Sequence, residues 1–153
     1  MRVTWNRSFG LVFAFIMVLA PLALAQEAPK LNLTFDADAG IILLYVKADR
    51  TAEFEEMMAK MKEGMGKLDA PEVKQQAAGF RILKAPNGPA PAGAVLYVML
   101  ADPAVKNVEY AFLPILYKAF PAEAKAFSDK WAEIKHTQPA VIWKDLQLVV
   151  KMQ

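Results

Sequence analysis

The chain has no cysteine, and that one absence removes several functions together. A thiol nucleophile, a disulfide framework, a cysteine-ligated zinc and a lipid-bearing cysteine behind a leader are all excluded. Histidine is nearly as scarce: His136 stands alone. With no second imidazole and no thiolate to join it, it reads as a helix-end residue favourable to the dipole, ahead of a lone base or ligand. Ser128 is the only serine after residue 25 and lacks a G-x-S-x-G context, so it reads as a surface residue on a helix. Gly64 and Gly66 fall inside a helical stripe, which leaves no glycine loop to cradle a phosphate. Charge of one sign is missing too. The formal +2 rests on Arg2 and Arg7; setting these aside leaves 16 basic against 16 acidic residues. The basic pI therefore implies no nucleic-acid partner, and no Arg/Lys stripe replaces it.

What is present begins with a leader. Arg2 and Arg7 form a positive n-region, Phe9 to Leu19 is an apolar run, Pro21 breaks it, and Ala23-Leu24-Ala25 offers small residues at −3 and −1. This is the grammar of a secretory signal peptide, cleaved between Ala25 and Gln26. The alternative is an uncleaved anchor, but the run before Pro21 is short against the roughly 20 residues a span needs. The expected product is periplasmic or secreted, with no membrane span after cleavage. Residues 26–39 read as a flexible mature N-terminus, within which Leu31 to Phe35 alternates like a short strand. Residues 40–153 form the domain.

Ile41 to Val46 and Val95 to Leu100 are continuous apolar runs, the pattern of strands buried on both faces. Between them, Phe54, Met57, Met58, Met61, Met65 and Leu68 recur at helical spacing behind an acidic first turn. Asp49 or Thr51 is placed to cap that helix, and Asp69-Ala70-Pro71 to stop it. A charged strand around Ala78 to Lys84 follows, then a Pro/Gly connection over 85–93. Val105, Val108, Phe112, Ile115 and Ala119 mark a second helix; Pro121 bends or restarts it, and its stripe runs on through Phe127, Trp131 and Ile134. Val141 to Met152 alternates as a last strand. The order β-α-β-β-α-β is the ferredoxin-like arrangement, an α+β fold with a four-stranded antiparallel sheet and helices on one face. It predicts apolar first and third strands in the centre and charged second and fourth strands at the edges. Two helices cover one face only, so the other face needs a cover. A second copy, making a homodimer, is the expected one; the N-terminal segment or the 85–93 loop is the alternative.

Four segments carry a resemblance. They are Val46-Lys47-Ala48-Asp49-Arg50-Thr51-Ala52-Glu53-Phe54, Gln75-Gln76-Ala77-Ala78-Gly79-Phe80, Leu96-Tyr97-Val98 and Asp102-Pro103-Ala104-Val105-Lys106. Over most of residues 40–150 the chain resembles the dimeric α/β-barrel superfamily, whose ferredoxin-like protomers pair sheet to sheet. It looks closest to small exported bacterial proteins without an assigned activity. Other members are antibiotic-biosynthesis-type monooxygenases, haem-degrading enzymes, stress-responsive barrel proteins and muconolactone-isomerase-like proteins. The haem enzymes use an axial histidine with Asn and Trp nearby. His136 falls after the second helix, so haem chemistry does not carry over, and no catalytic residue can be matched. Fold alone does not give function. The resemblance implies either a binding or envelope-interaction protein or, as the alternative, a cofactor-independent monooxygenase or isomerase.

Among site candidates, Tyr45 and Tyr97 sit on the two central runs, with Phe80 and Trp143 on the outer strands. They are the expected lining for a small apolar ligand, with an aromatic core or dimer interface as the simpler alternative. Asp36 and Asp38 before Gly40 read as a polar turn, because the glycine is misplaced for a calcium loop and the closing glutamate is missing. No cofactor and no metal is expected. The methionine stripe could in principle hold Cu(I) through soft thioethers. Each buried methionine is also worth about 1.5–3 kcal/mol of core stability, and Phe54 and Leu68 continue the same stripe. Core packing is therefore its role, and titration with Cu(I) under reducing conditions should show no stoichiometric uptake.

Overall fold

The computed structural model describes residues 33–137 and 141–149. The leader, its cleavage site, the first two residues of the expected N-terminal strand and the last residues of the expected final strand lie outside these; Leu33, Thr34 and Phe35, the rest of that N-terminal strand, are irregular. Four strands, β1 Ala39–Lys47, β2 Phe80–Ala85, β3 Ala94–Ala101 and β4 Val141–Leu146, form one sheet. Their order is β2-β3-β1-β4, and every neighbouring pair is antiparallel. The two uninterrupted apolar runs are thus the inner strands, and the strands carrying charge are the outer ones. The class is α+β, as the element pattern predicts.

The connections are richer than two single helices. From β1 the chain passes through a 3-10 turn into α1 Thr51–Lys67 and then α2 Pro71–Gly79. From β3 it passes through α3 Phe112–Ala119, a second 3-10 turn and α4 Ala124–Ile134. Helix α1 buries Phe54, Met57, Met58, Met61 and Met65 as its spacing requires, although no side chain caps its start. Pro71 does not end the helical region; it opens α2 at a position where proline's missing N–H costs nothing. The buried face of α2 is Val73, Gln76 and Gly79. Only one of these is a large apolar residue, so hydrophobic periodicity could not reveal the helix.

The second helix also differs from expectation at its start. Residues 102–111 are irregular and α3 begins at Phe112. Their backbone is committed elsewhere: Val105 N donates to the Tyr110 hydroxyl at 2.7 Å, Ala104 N to Asp38 O at 2.7 Å, and Tyr110 N to Leu33 O at 2.7 Å. These bonds explain a further departure. Leu33 and Phe35, in the segment read as a flexible lead, are buried in the core, with Leu33 N donating to Glu109 Oε1 at 2.9 Å. The polar turn at Asp36 is as expected: Asp36 N and Ala37 N both donate to Asp145 Oδ1, at 3.1 and 3.3 Å.

The core lies between the sheet and the helices. Ile42, Leu44 and Val46 of β1 and Tyr97 and Met99 of β3 face it. Phe54 of α1 joins Tyr97, Phe112 and Trp131 in an aromatic cluster, with ring centroids 4.6–6.1 Å apart. Phe35 packs on Tyr110 at 5.0 Å and lies flat over Gly40, where any Cβ would overlap its ring. Phe35→Ala should lower the unfolding free energy by about 3–5 kcal/mol. Gly40→Ala should also destabilise the wild type, yet cost far less in the Phe35→Ala background. Urea denaturation of the two single variants and the double variant checks this; additive losses would refute the contact.

Candidate functional site

On the side away from the helices the sheet presents an apolar surface. Register places Leu83, Val98, Leu43 and Ile142 in one row across all four strands. Ile41 beside Leu100 and Tyr45 beside Leu96 form the adjoining rows. The residues of β1, Val98, Leu100 and Ile142 on this face are half-buried, and Leu83 is 51 % exposed. Among the described residues, neither expected intramolecular cover spans it. The 33–38 segment lies on the helix side, and the 85–93 connection reaches the sheet only near Leu96, which faces Gly88.

The helix side carries the larger concavity. A groove of about 740 Å³ runs between α1, α2 and β2. Met58, Met61 and Met65 come from α1 and Phe80 and Ile82 from β2, with Ala59, Gly66 and Ala77 small at its edges. The geometry follows from the sequence locally. Alternation in β2 turns Phe80 and Ile82 to one side, opposite Ala101 and Met99 of β3. Towards its C-terminal end α2 carries the small residues Ala77, in the lining, and Gly79, immediately ahead of β2. Lys62 and Lys74 are the polar side chains in the lining. Lys74 is paired with Asp69 at 2.5 Å; Lys62 makes no ion pair among the described residues. An internal cavity under α3, lined by Ile42, Met99, Tyr110 and Trp131, measures only about 30 Å³. It is far below the several hundred Å³ typical of ligand sites.

Beyond Ile82 on the same strand lies a polar cluster. Glu55 Oε1 accepts from the Tyr97 hydroxyl at 2.6 Å and from Lys84 Nζ at 2.8 Å. The lysine holds the Glu55 carboxyl below the usual carboxylate range, with the phenol adding to the effect. Burial pushes the Tyr97 phenol up to about 12, and its bond to Glu55 acts in the same direction. Tyr97 is thus a fixed neutral donor that ties β3 to α1 and not a proton-transfer group at neutral pH.

The four aromatic candidates do not converge. Phe80 lines the groove and also packs on Tyr110 at 5.3 Å. Tyr97 is buried under α1. Tyr45 pairs with Leu96 on the opposite face of the sheet. Trp143 pairs with Ile42 but stands 44 % exposed on the outer strand. Alternation puts Tyr45 and Tyr97 on opposite faces because β1 and β3 pair 44 with 97 and 45 with 96, a register no single-strand pattern reveals. Lys62, Lys74 and Ala77 were not singled out by sequence, since exposed lysines and a lone alanine carry no signal until α2 is seen. Ser128 is paired with the Tyr117 hydroxyl, and His136 N donates to Tyr45 O at 2.9 Å at the end of β1. Among the described residues, no cluster of three or more His, Asp or Glu side chains is arranged to hold a metal ion. No described helix is long and apolar enough to cross a membrane.

No protein-family model matches the chain, and neither a curated protein nor a solved structure shows significant similarity to it. The protein is, by its own architecture, an α+β domain with a four-stranded antiparallel sheet, helices packed on one of its faces, and an apolar groove between α1, α2 and β2.

The Tyr97 cluster sets an alkaline sensitivity. A phenol whose folded pKa lies above its unfolded value near 10 contributes stability that is intact below pH 10 and lost as pH rises toward 12. Lys84, raised by its bond to Glu55, acts in the same sense. Tyr97→Phe should therefore cost on the order of 1 kcal/mol at pH 7 and flatten the fall in stability between pH 10 and 12. Denaturation midpoints across that range measure it; an unchanged slope would remove Tyr97 from this role.

Proposed function

We propose that the chain is an exported binding protein that holds a small apolar molecule in the α1–α2–β2 groove and works as a homodimer. The groove carries the reading. Three methionines, Phe80 and Ile82 give it an apolar, adaptable floor, since thioether side chains reshape at little cost. Binding is favoured over the oxygenase or isomerase chemistry of the dimeric α/β-barrel superfamily by the lining itself. Among the described residues it offers two ammonium groups and no carboxylate, hydroxyl or imidazole to activate a substrate.

The ferredoxin-like, dimeric-barrel assignment belongs to the same proposal. Its support is the inner placement of β1 and β3 together with the Leu83–Val98–Leu43–Ile142 row, over which no described segment packs. A contiguous apolar face of this extent is uncommon on a soluble monomer, and a second copy of the same face would cover it. Export rests on the leader, with Gln26 as the first residue of the periplasmic or secreted product.

The test uses the chain from Gln26 to Gln153 and the neutral fluorophore N-phenyl-1-naphthylamine. Saturable binding is expected. Ala77→Trp, which fills the groove from an exposed position, should weaken binding at least about tenfold, a loss of about 1.4 kcal/mol. Its unfolding midpoint should stay unchanged. Failure of the wild type to bind would end the reading. Light scattering should give twice the chain mass, and Leu43→Lys should halve it while far-UV circular dichroism is preserved; a wild-type monomer would refute the pairing.

A further inference from the structure

The groove is not evenly apolar: its cationic side chains belong to α1 and α2, and its floor is hydrocarbon and thioether. Lys62 is exposed on α1 one turn from Met58 and Met65, and Lys74 is exposed on α2 one turn before Ala77. Asp69 offsets Lys74, whereas Lys62 has no carboxylate partner among the described residues. Carboxylates of α1 are held by other cations: Glu55 by Lys84, Glu56 by Lys130, and Glu63 by Lys60 and Lys67. A ligand in this groove therefore meets an apolar floor edged by two ammonium groups, of which Lys62 carries no counter-charge among the described residues.

We infer that the occupant is a single-chain amphiphile with an anionic head, its aliphatic tail on Met58, Met61, Met65, Phe80 and Ile82 and its head at Lys62 and Lys74. The inference rests on the groove being a binding site, and it adds the ligand's charge. Charge complementarity selects against a cationic head, because an ammonium group here would face Lys62 without a counter-charge. It also selects against a neutral head, which forgoes the ion pair. The methionine floor suits a flexible alkyl tail of variable length better than a rigid ring system.

Competition experiments with bound N-phenyl-1-naphthylamine separate the two levels. Sodium laurate and dodecyl phosphate carry anionic heads of different origin, 1-dodecanol a neutral head, and dodecyltrimethylammonium a cationic one, all below their micellar concentrations. Laurate, dodecyl phosphate or both should displace the probe at concentrations at least about tenfold lower than the cation does, and their order tells carboxylate from phosphate. The Lys62→Glu, Lys74→Glu double variant should reverse the preference between laurate and the cation, each displacement midpoint being read as a ratio to that of 1-dodecanol on the same variant. Equal displacement by all four compounds would overturn the inference and leave the binding reading intact. No probe binding at all would remove the reading beneath it. If the probe binds only after residues 26–32 are trimmed, the chain's own leading segment occupies the groove and the inference fails.

Discussion

The two inner strands of the sheet are apolar on both faces, and the remainder of the molecule is arranged to manage that. Along β1, Gly40, Ile42, Leu44 and Val46 alternate with Ile41, Leu43 and Tyr45, and β3 answers with Met99 and Tyr97 on one side and Leu100, Val98 and Leu96 on the other. Burying one set takes all four helices and the Leu33–Phe35 segment. Among the described residues, the other set meets the 85–93 connection at Leu96. A strand with this composition cannot be satisfied by one layer of helices, so the demand for a second layer is written into the backbone's own period of two.

The helical layer is shaped by where small residues allow close approach. Gly40 lets Phe35 lie on the sheet, and Gly79 brings the end of α2 against the backbone at Pro103, whose carbonyl a Cβ there would strike. Helix α2 is therefore pinned at its C-terminal end beside β2, while Pro71 opens its first turn just after α1 ends. The groove is the space between these constraints. Its floor is the same methionine stripe that fills the core, so one set of side chains stabilises the fold on one side and offers a soft surface on the other. The Glu55–Tyr97–Lys84 cluster further along β2 is a tie between α1, β2 and β3, and its perturbed titration reflects burial and hydrogen bonding in that tie.

Much of this was legible from residues alone where one local rule dominated. The apolar runs at Ile41–Val46 and Val95–Leu100 and the stripe from Phe54 to Met65 announce two central strands and a long helix, and the structure has them. Legibility failed where a polar or small residue took a buried position. Helix α2 hides its inner face behind Gln76, whose Nε2 donates to Glu109 O at 2.8 Å, and Gly79. The 102–111 segment has helical spacing in Val105, Val108 and Phe112, but its N–H groups bond to Asp38, Tyr110 and Leu33. Asp38 and Leu33 lie so far off in sequence that these bonds leave no periodic trace. The aromatic candidates suffered similarly: each was placed on the right strand, but facing depends on register, and register is a relation between strands.

Composition and period determined on their own that thiol chemistry is absent, that two strands are apolar front and back, and that α1 must bury its methionines. Those are consequences of residue type and of spacing within one segment. Only the tertiary structure decided that Tyr45 and Tyr97 point to opposite sides, that Leu33 and Phe35 belong to the core, and that Lys62 and Lys74 flank a methionine floor. Each of these joins segments far apart in the chain, and the hydrogen bonds and contacts that join them exist only once the sheet has fixed its register.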